Sequence, residues 1–246
     1  MPDPILKISD IENDVLQNNS SVNFNGFYDE VDPTTTLVTQ TIVLQNGWNF
    51  FGTYIDAQAS AAAGVGTFAT GATMTNMLSG IVDDVIIAKD YQGSAYLPEF
   101  NFDGIGTIYN GQGYQIKVGN NIQAASDDTF TLTITGIPIV TSYNNQYTGS
   151  TQVYGCNVDF PEGWFIFTIP FDINASGNPA LGSYDVAVVM DNITNGNVGF
   201  IKIIKDFLGS AYLPEYNFNG IGDFKVGQAY QIKSNVSWSS EITGTQ

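Results

Sequence analysis

One stretch of this chain occurs twice. Residues Lys89 to Lys117 return as Lys205 to Lys233 at a constant offset of 116, with 20 of 29 positions identical. The same offset carries Gly47-Trp48 onto Gly163-Trp164 and Asp56 onto Asp172. Any fold proposed for one copy must therefore serve for both. A repeat of roughly 70–100 residues is too long for a solenoid unit and suits a small domain with its own core. The organisation expected is an N-terminal arm over 1–36, a first repeat domain over 37–136, a linker over 137–152 and a second repeat domain over 153–246.

Each copy shows the same order of local signals. Gly47 to Ile55, and Gly163 to Ile173, are rich in aromatic and β-branched residues and read as strands. A short helix is expected over Thr73 to Ile81, with Thr73 as its cap and Met74, Met77 and Leu78 on one face. Its counterpart lies near Tyr184 to Ile193. Val85 to Lys89 should pair with Ala95 to Leu97 across the turn Tyr91-Gln92-Gly93-Ser94, with the glycine supplying a positive φ. Gly113 to Val118 alternates, Tyr114 and Ile116 on one face and Gln115 and Lys117 on the other. Thr129 to Thr135 alternates as strictly, setting Phe130, Leu132 and Ile134 against threonines. The fold class expected is α+β, mainly β: two tandem homologous domains, each a twisted, mostly antiparallel sheet with one short helix.

Composition removes whole classes of function. Against 24 acidic residues stand 7 basic ones, all lysine, and the net charge is −17. Such a chain repels nucleic acid and anionic membranes, so neither is expected as a partner. Histidine is absent, which excludes imidazole-based triads and His-ligated zinc. The single Cys156 excludes an internal disulfide and an all-thiolate metal site. No apolar run is long enough to span a bilayer, so membrane insertion is not expected either. The start, Met1-Pro2-Asp3-Pro4, lacks the basic and apolar regions of a secretory leader, and export through one is not expected.

Several residues could carry chemistry, and for each a plainer reading weighs more. Glu99 and Glu215 could serve as paired carboxylates of a glycosidase. The plainer expectation is that they close hairpin corners or pair with Lys89 and Lys205. The loop Asn101 to Gly106 offers oxygen ligands, yet it lacks the alternating carboxylates of calcium loops and reads as a tight turn. Trp48 and Trp164 open the repeats beside apolar residues and are expected in the core. Trp238, among serines, is the tryptophan expected to be exposed and is the candidate ligand contact. Cys156 has no nearby base and is expected to be buried and inert. No catalytic, cofactor-binding or metal residue is expected, and the chain is not read as an enzyme.

The arm carries seven acids and one lysine. Ser9 and Glu12 fit a capping box, and Ile8, Ile11 and Val15 share one face of the short helix it would start. So short a helix is marginal alone and needs a partner surface.

The frame Gly-Trp, then Ile-x-Lys-Asp, Gly-x-x-Tyr-x-Pro-Glu, Asn-Gly-Ile-Gly and Gly-Gln-Gly-Tyr-Gln-Ile-Lys resembles a module of Bacteroidetes-type cell-surface proteins. It is similar also to modules in virion structural proteins of marine and cyanobacterial tailed phages. Copy two departs from the frame at Ala229 and at Phe207-Leu208. The resemblance implies a surface-displayed building block without chemistry of its own. With no leader expected, it points to a virion protein made in the host cytoplasm and exposed on the particle surface as a decoration, tail or fibre component. The expected partners are other virion structural proteins, docked through Ile5, Leu6, Ile8, Ile11, Val15 and Leu16 of the arm. A homo-oligomer and a host surface glycan stand as further partners. The other reading is a glycan-binding adhesin or receptor-binding module.

Overall fold

A computed structural model describes residues 37–119, 128–139, 154–170 and 184–244. The arm, with its six docking residues, and most of the linker lie outside the described residues. The chain is mainly β, and its sheets form two similar pairs, one pair per copy.

In copy one, strand β1 (Val38–Gln45) is followed by β2 (Gly47–Gly52), helix α1 (Ala57–Ala63) and the one-turn helix α2 (Met74–Met77). Then come β3 (Val85–Lys89), β4 (Ala95–Leu97), β5 (Phe102–Asp103), β6 (Gly113–Val118) and β7 (Thr129–Gly136). Copy two gives β8 (Tyr154–Phe160), β9 (Gly163–Thr168), helix α3 (Val186–Ile193), β10 (Ile201–Lys205), β11 (Ala211–Leu213), β12 (Phe218–Asn219), β13 (Ala229–Ser234) and β14 (Trp238–Gly244). Each copy thus holds a five-stranded antiparallel sheet, in the order β2-β6-β3-β4-β5 or β9-β13-β10-β11-β12, and a two-stranded sheet, β1-β7 or β8-β14.

The local chemistry follows the sequence closely. Thr73 caps α2, its Oγ1 accepting from the Asn76 N–H at 3.3 Å, and Met74, Met77 and Leu78 are fully buried. Asp185 caps α3 by accepting from the Ala187 N–H at 2.8 Å. The β3–β4 hairpin closes as expected, with Lys89 opposite Ala95 and Gly93 at φ +95°. One helix more than expected is present, α1, which Asp56 caps by accepting from the Ala59 N–H.

Each five-stranded sheet buries one face. In copy one Phe51, Tyr114, Ile116, Ala88 and Tyr96 pack with α2 and with Leu44, Leu132 and Ile134 of the two-stranded sheet. In copy two Phe167, Tyr230, Ile232, Ile204 and Tyr212 pack with α3 and with Val158, Phe160 and Ile242. Burying each such side chain contributes about 1.5–3 kcal/mol before ordering costs. Ile139, just past β7, belongs to the second core, so the start of the linker already seals copy two.

The copies pack against each other about a pseudo-twofold axis. Gly111 lies against Cys156, and Gly227 lies against Gln40; these are the same two positions with the copies exchanged. Equivalent positions also meet each other. A Cβ on Gly52 would fall 1.6 Å from Thr168 Oγ1, and one on Gly113 would fall 2.6 Å from the Ala229 Cβ. Positions that meet their own counterparts mark the axis. Ala229, the departure from the repeat frame, is accommodated because its counterpart is Gly113. The Thr168 N–H donates to the Gly111 carbonyl across the seam at 2.9 Å, and Tyr91 meets Phe165 edge-on with ring centroids 4.8 Å apart.

One seam substitution has a direct electrostatic reason. The buried Gln40 accepts from the Tyr54 N–H and donates to the Gly52 carbonyl, both at 3.1 Å. The counterpart of Tyr54 is Pro170, which has no N–H to satisfy, and the counterpart of Gln40 is Cys156.

Candidate functional site

The duplicated carboxylates stand at turns. Pro98 and Pro214 each begin a one-turn 3₁₀ segment that carries Glu99 or Glu215 in its first turn. Glu215 pairs with Lys202 at 3.4 Å rather than with Lys205, and both side chains are more than half exposed. Pro214 starts the 3₁₀ segment along β10, which brings Glu215 beside its outward-bulged Lys202. An exposed pair of this kind contributes at most about 1 kcal/mol.

The glycine-rich loops are turns that tie the sheet to the helix. Asp103 accepts from the N–H and Oγ1 of Thr75 at 3.0 and 2.9 Å, and from the Gly106 N–H at 2.8 Å. In copy two Asn219 accepts from the Ile221 and Gly222 N–H groups and donates to Asp185 Oδ2 at 2.9 Å. These oxygens are committed to protein donors. Among the described residues no group of three or more His, Cys, Asp or Glu is placed to hold a metal ion.

Cys156 is buried, and burial, with smaller contributions from Asp56 and Glu241, pushes its thiol up to about 12. That suits an inert core group. Trp238 stands opposite Phe160 in the β8–β14 ladder and stacks on it, ring centroids 4.0 Å apart and nearly parallel. Its Nε1–H donates to Ser234 Oγ at 3.3 Å. The indole is half-buried against the second core, so one of its faces is already covered.

The expectation for the other two tryptophans is overturned. Trp48 is 48% exposed and Trp164 39% exposed. The cause is register: β2 and β9 are apolar on both faces, and Asn49 and Phe51, or Phe165 and Phe167, take the inward positions. Trp48 is paired with Lys117 and Trp164 with Lys233 on the outward face. Lys89 lies over the Trp48 ring at 5.7 Å from its centroid; Lys205 and Lys233 lie over Trp164 at 5.4 and 5.6 Å. An ammonium so placed is held by the ring quadrupole while its stem covers apolar surface.

Following the register across the sheet gives the composition of this outward face. From β2 to β5 it presents Trp48, then Gln115 and Lys117, then Ile87 and Lys89, then Ala95 and Leu97, and finally Phe102. Copy two presents Trp164, Gln231 and Lys233, Ile203 and Lys205, Ala211 and Leu213, and Phe218. These eight positions are identical between the copies; Phe50 against Ile166 and the bulged Ile86 against Lys202, which also point outward, differ. The buried face is freer: Asn49 faces Phe165, Ala88 Ile204, Val118 Ser234 and Val85 Ile201 as counterparts. Five of the seven lysines stand on these two outward faces, the bulged Lys202 among them, and none of the strand residues pointing that way is acidic.

A cleft of about 490 Å³ opens at the seam, lined by Asp56, Tyr91, Tyr109, Gln112, Asn157 and Asp159 among others. Among the described residues no helix is long and apolar enough to cross a membrane. In comparisons with known proteins, no family model matches the chain, and no curated protein or solved structure is significantly similar to it.

Proposed function

We propose that this chain is a non-enzymatic structural protein of a virion, docked through its N-terminal arm and displaying two β-rich domains on a capsid or tail. The observation that carries the reading is where the duplicated motif goes. Its Asp103 and Asn219 hold turns, its Tyr96 and Tyr212 fill cores, and its glycines let the copies close into one body. Residues that build a rigid pair of domains are what a displayed spacer or decoration requires. Deleting 1–36 should abolish incorporation into particles while the two domains keep their cooperative melt. Incorporation of the truncated chain at the normal copy number would sink the docking role of the arm.

A glycan-binding module is the second reading. Its support is the pair of open sheet faces, which keep an exposed tryptophan and phenylalanine in both copies; Trp238 contributes little to it, because Phe160 covers its ring.

A further inference from the structure

We infer that the two outward sheet faces are binding sites for an extended, anionic polysaccharide, one bearing carboxylate or sulfate groups. This rests on the glycan-binding reading and names its ligand class; it does not depend on which particle carries the protein.

Three observations lead there. Eight of ten outward positions away from the axis agree between the copies, the exceptions being Phe50 against Ile166 and the bulged Ile86 against Lys202, whereas the buried face has changed at several positions. A face that only had to stay soluble would drift more freely than a core, not less. Charge gives the second argument. In a chain with 24 acids and 7 lysines, the strands of each face carry at least two lysines and no outward carboxylate, which favours an anionic ligand. Distant acids are screened over about 8 Å at physiological ionic strength, while the nearer Asp90 and Asp206 are tied into their hairpin turns and Glu215 is paired with Lys202.

The third argument is the spacing of the aromatics. Trp48 and Phe102 stand on opposite edge strands of a five-stranded sheet, as do Trp164 and Phe218. Four inter-strand steps of about 4.8 Å put them about 19 Å apart. A linear sugar chain laid across the strands meets an aromatic at each end and lysines between them. When Lys89, Lys205 and Lys233 turn from the tryptophan rings to give acidic substituents charge-assisted hydrogen bonds, as Lys117 also can, sugar rings set their C–H faces against the exposed aromatics. Two ammonium groups across that width match a charge every few rings; they fall short of the cationic track that nucleic acid needs. Two equal sites on one body also give a repeating polymer avidity.

The test measures binding of the full chain to immobilised alginate, dextran sulfate, neutral dextran and poly(dT) at physiological salt. Binding to alginate, dextran sulfate or both, with none to dextran, is expected, and which of the two binds separates carboxylate from sulfate. The Lys89→Gln/Lys117→Gln/Lys205→Gln/Lys233→Gln variant should lose at least tenfold. The Lys225→Gln variant removes a lysine off the faces and should change affinity less than twofold. Phe102→Ser/Phe218→Ser leaves every lysine in place and should also weaken binding, which guards against misfolding of the first variant. Binding of neutral dextran alone would preserve glycan recognition and overturn the anionic class. Absence of all binding would overturn both. An equal loss from the control lysine, or tighter binding of poly(dT), would overturn the site, as would a wild-type oligomer that the four-lysine variant converts to monomer, since a second copy would then occupy the face.

Discussion

Replacing Gly52 by alanine tests the pseudo-twofold seam at its axis. The new Cβ would fall 1.6 Å from Thr168 Oγ1, 2.7 Å from its Cβ and 3.1 Å from its Cγ2. Thr168 is fully buried, so its side chain cannot swing into solvent. Rotating it about χ1 leaves the Cβ contact in place, and relief therefore requires β2 or β9 to move. Overpacking of this kind costs about 1–3 kcal/mol, and a clash that no rotamer removes belongs at the upper end. At about 3 kcal/mol the melting temperature should fall by roughly 6–12 °C. Thr168→Gly alone should be close to neutral. It loses two buried carbons, the methyl and the Cβ that carries it, and adds backbone freedom, about 2–3 kcal/mol together. It also removes a buried hydroxyl that has no partner, which is worth a similar amount. The double variant should recover most of the loss, because the alanine then occupies the space the threonine vacated. Urea titration of all four proteins gives the coupling directly, expected at about 2–3 kcal/mol with an unchanged slope. If Gly52→Ala leaves the midpoint in place, or if the two effects simply add, the packing argument at the axis is wrong.

Other substitutions and conditions separate the remaining claims. Gln40→Leu strands the Tyr54 N–H and the Gly52 carbonyl inside the protein and should destabilise it by about 2–3 kcal/mol in urea. Asp103→Ala removes the acceptor for Thr75 and Gly106 and should cost about 1–2 kcal/mol, with faster amide exchange in α2 than in α3. Burial raises the pKa of Cys156 and of Tyr230 to about 12, so both favour the folded state fully below the unfolded values near 9 and 10. Stability measured by urea titration should therefore be flat in these groups below pH 9 and fall from pH 9 towards 12; Cys156→Ala should flatten the first part of that fall. Trp238→Ala removes the ring stacked on Phe160 and should lower stability by about 3 kcal/mol or more while leaving polysaccharide binding at the level its folded fraction predicts.

Much of the fold is legible in the residues, for reasons that can be named. The β3–β4 hairpin announces itself through a glycine-bearing turn, and β6 and β7 through strict alternation. The caps of α2 and α3 are polar side chains one position before an apolar run. What escaped has equally specific causes. In β1 the buried Gln40 occupies a core position while Val43 faces solvent, so alternation points the wrong way. In β14 the residues between Trp238 and Ile242 are polar, which hides a strand that gains its order from β8. Hydrophobicity alone points Trp48 inward, because it cannot choose between the faces of a strand apolar on both. The lysine opposite it, Lys117, identifies the outward face once the pairing is known. The seam left only a trace, the glycine-to-alanine difference at 113 and 229, since nothing local says that two positions 116 apart will touch.

The seam also explains why the two halves belong in one polypeptide. In a dimer of identical chains, a residue on the twofold axis meets itself and must be complementary to its own shape. Here the axis holds glycine against threonine and glycine against alanine, fits that no self-paired residue can make. Joining the copies in tandem released these positions from that restriction and let one half recede where the other advances. Two copies of the second half, paired in the same way, would drive Thr168 into Thr168 and Ala229 into Ala229. The two halves have become a lock and its key, cut from the same blank and no longer interchangeable.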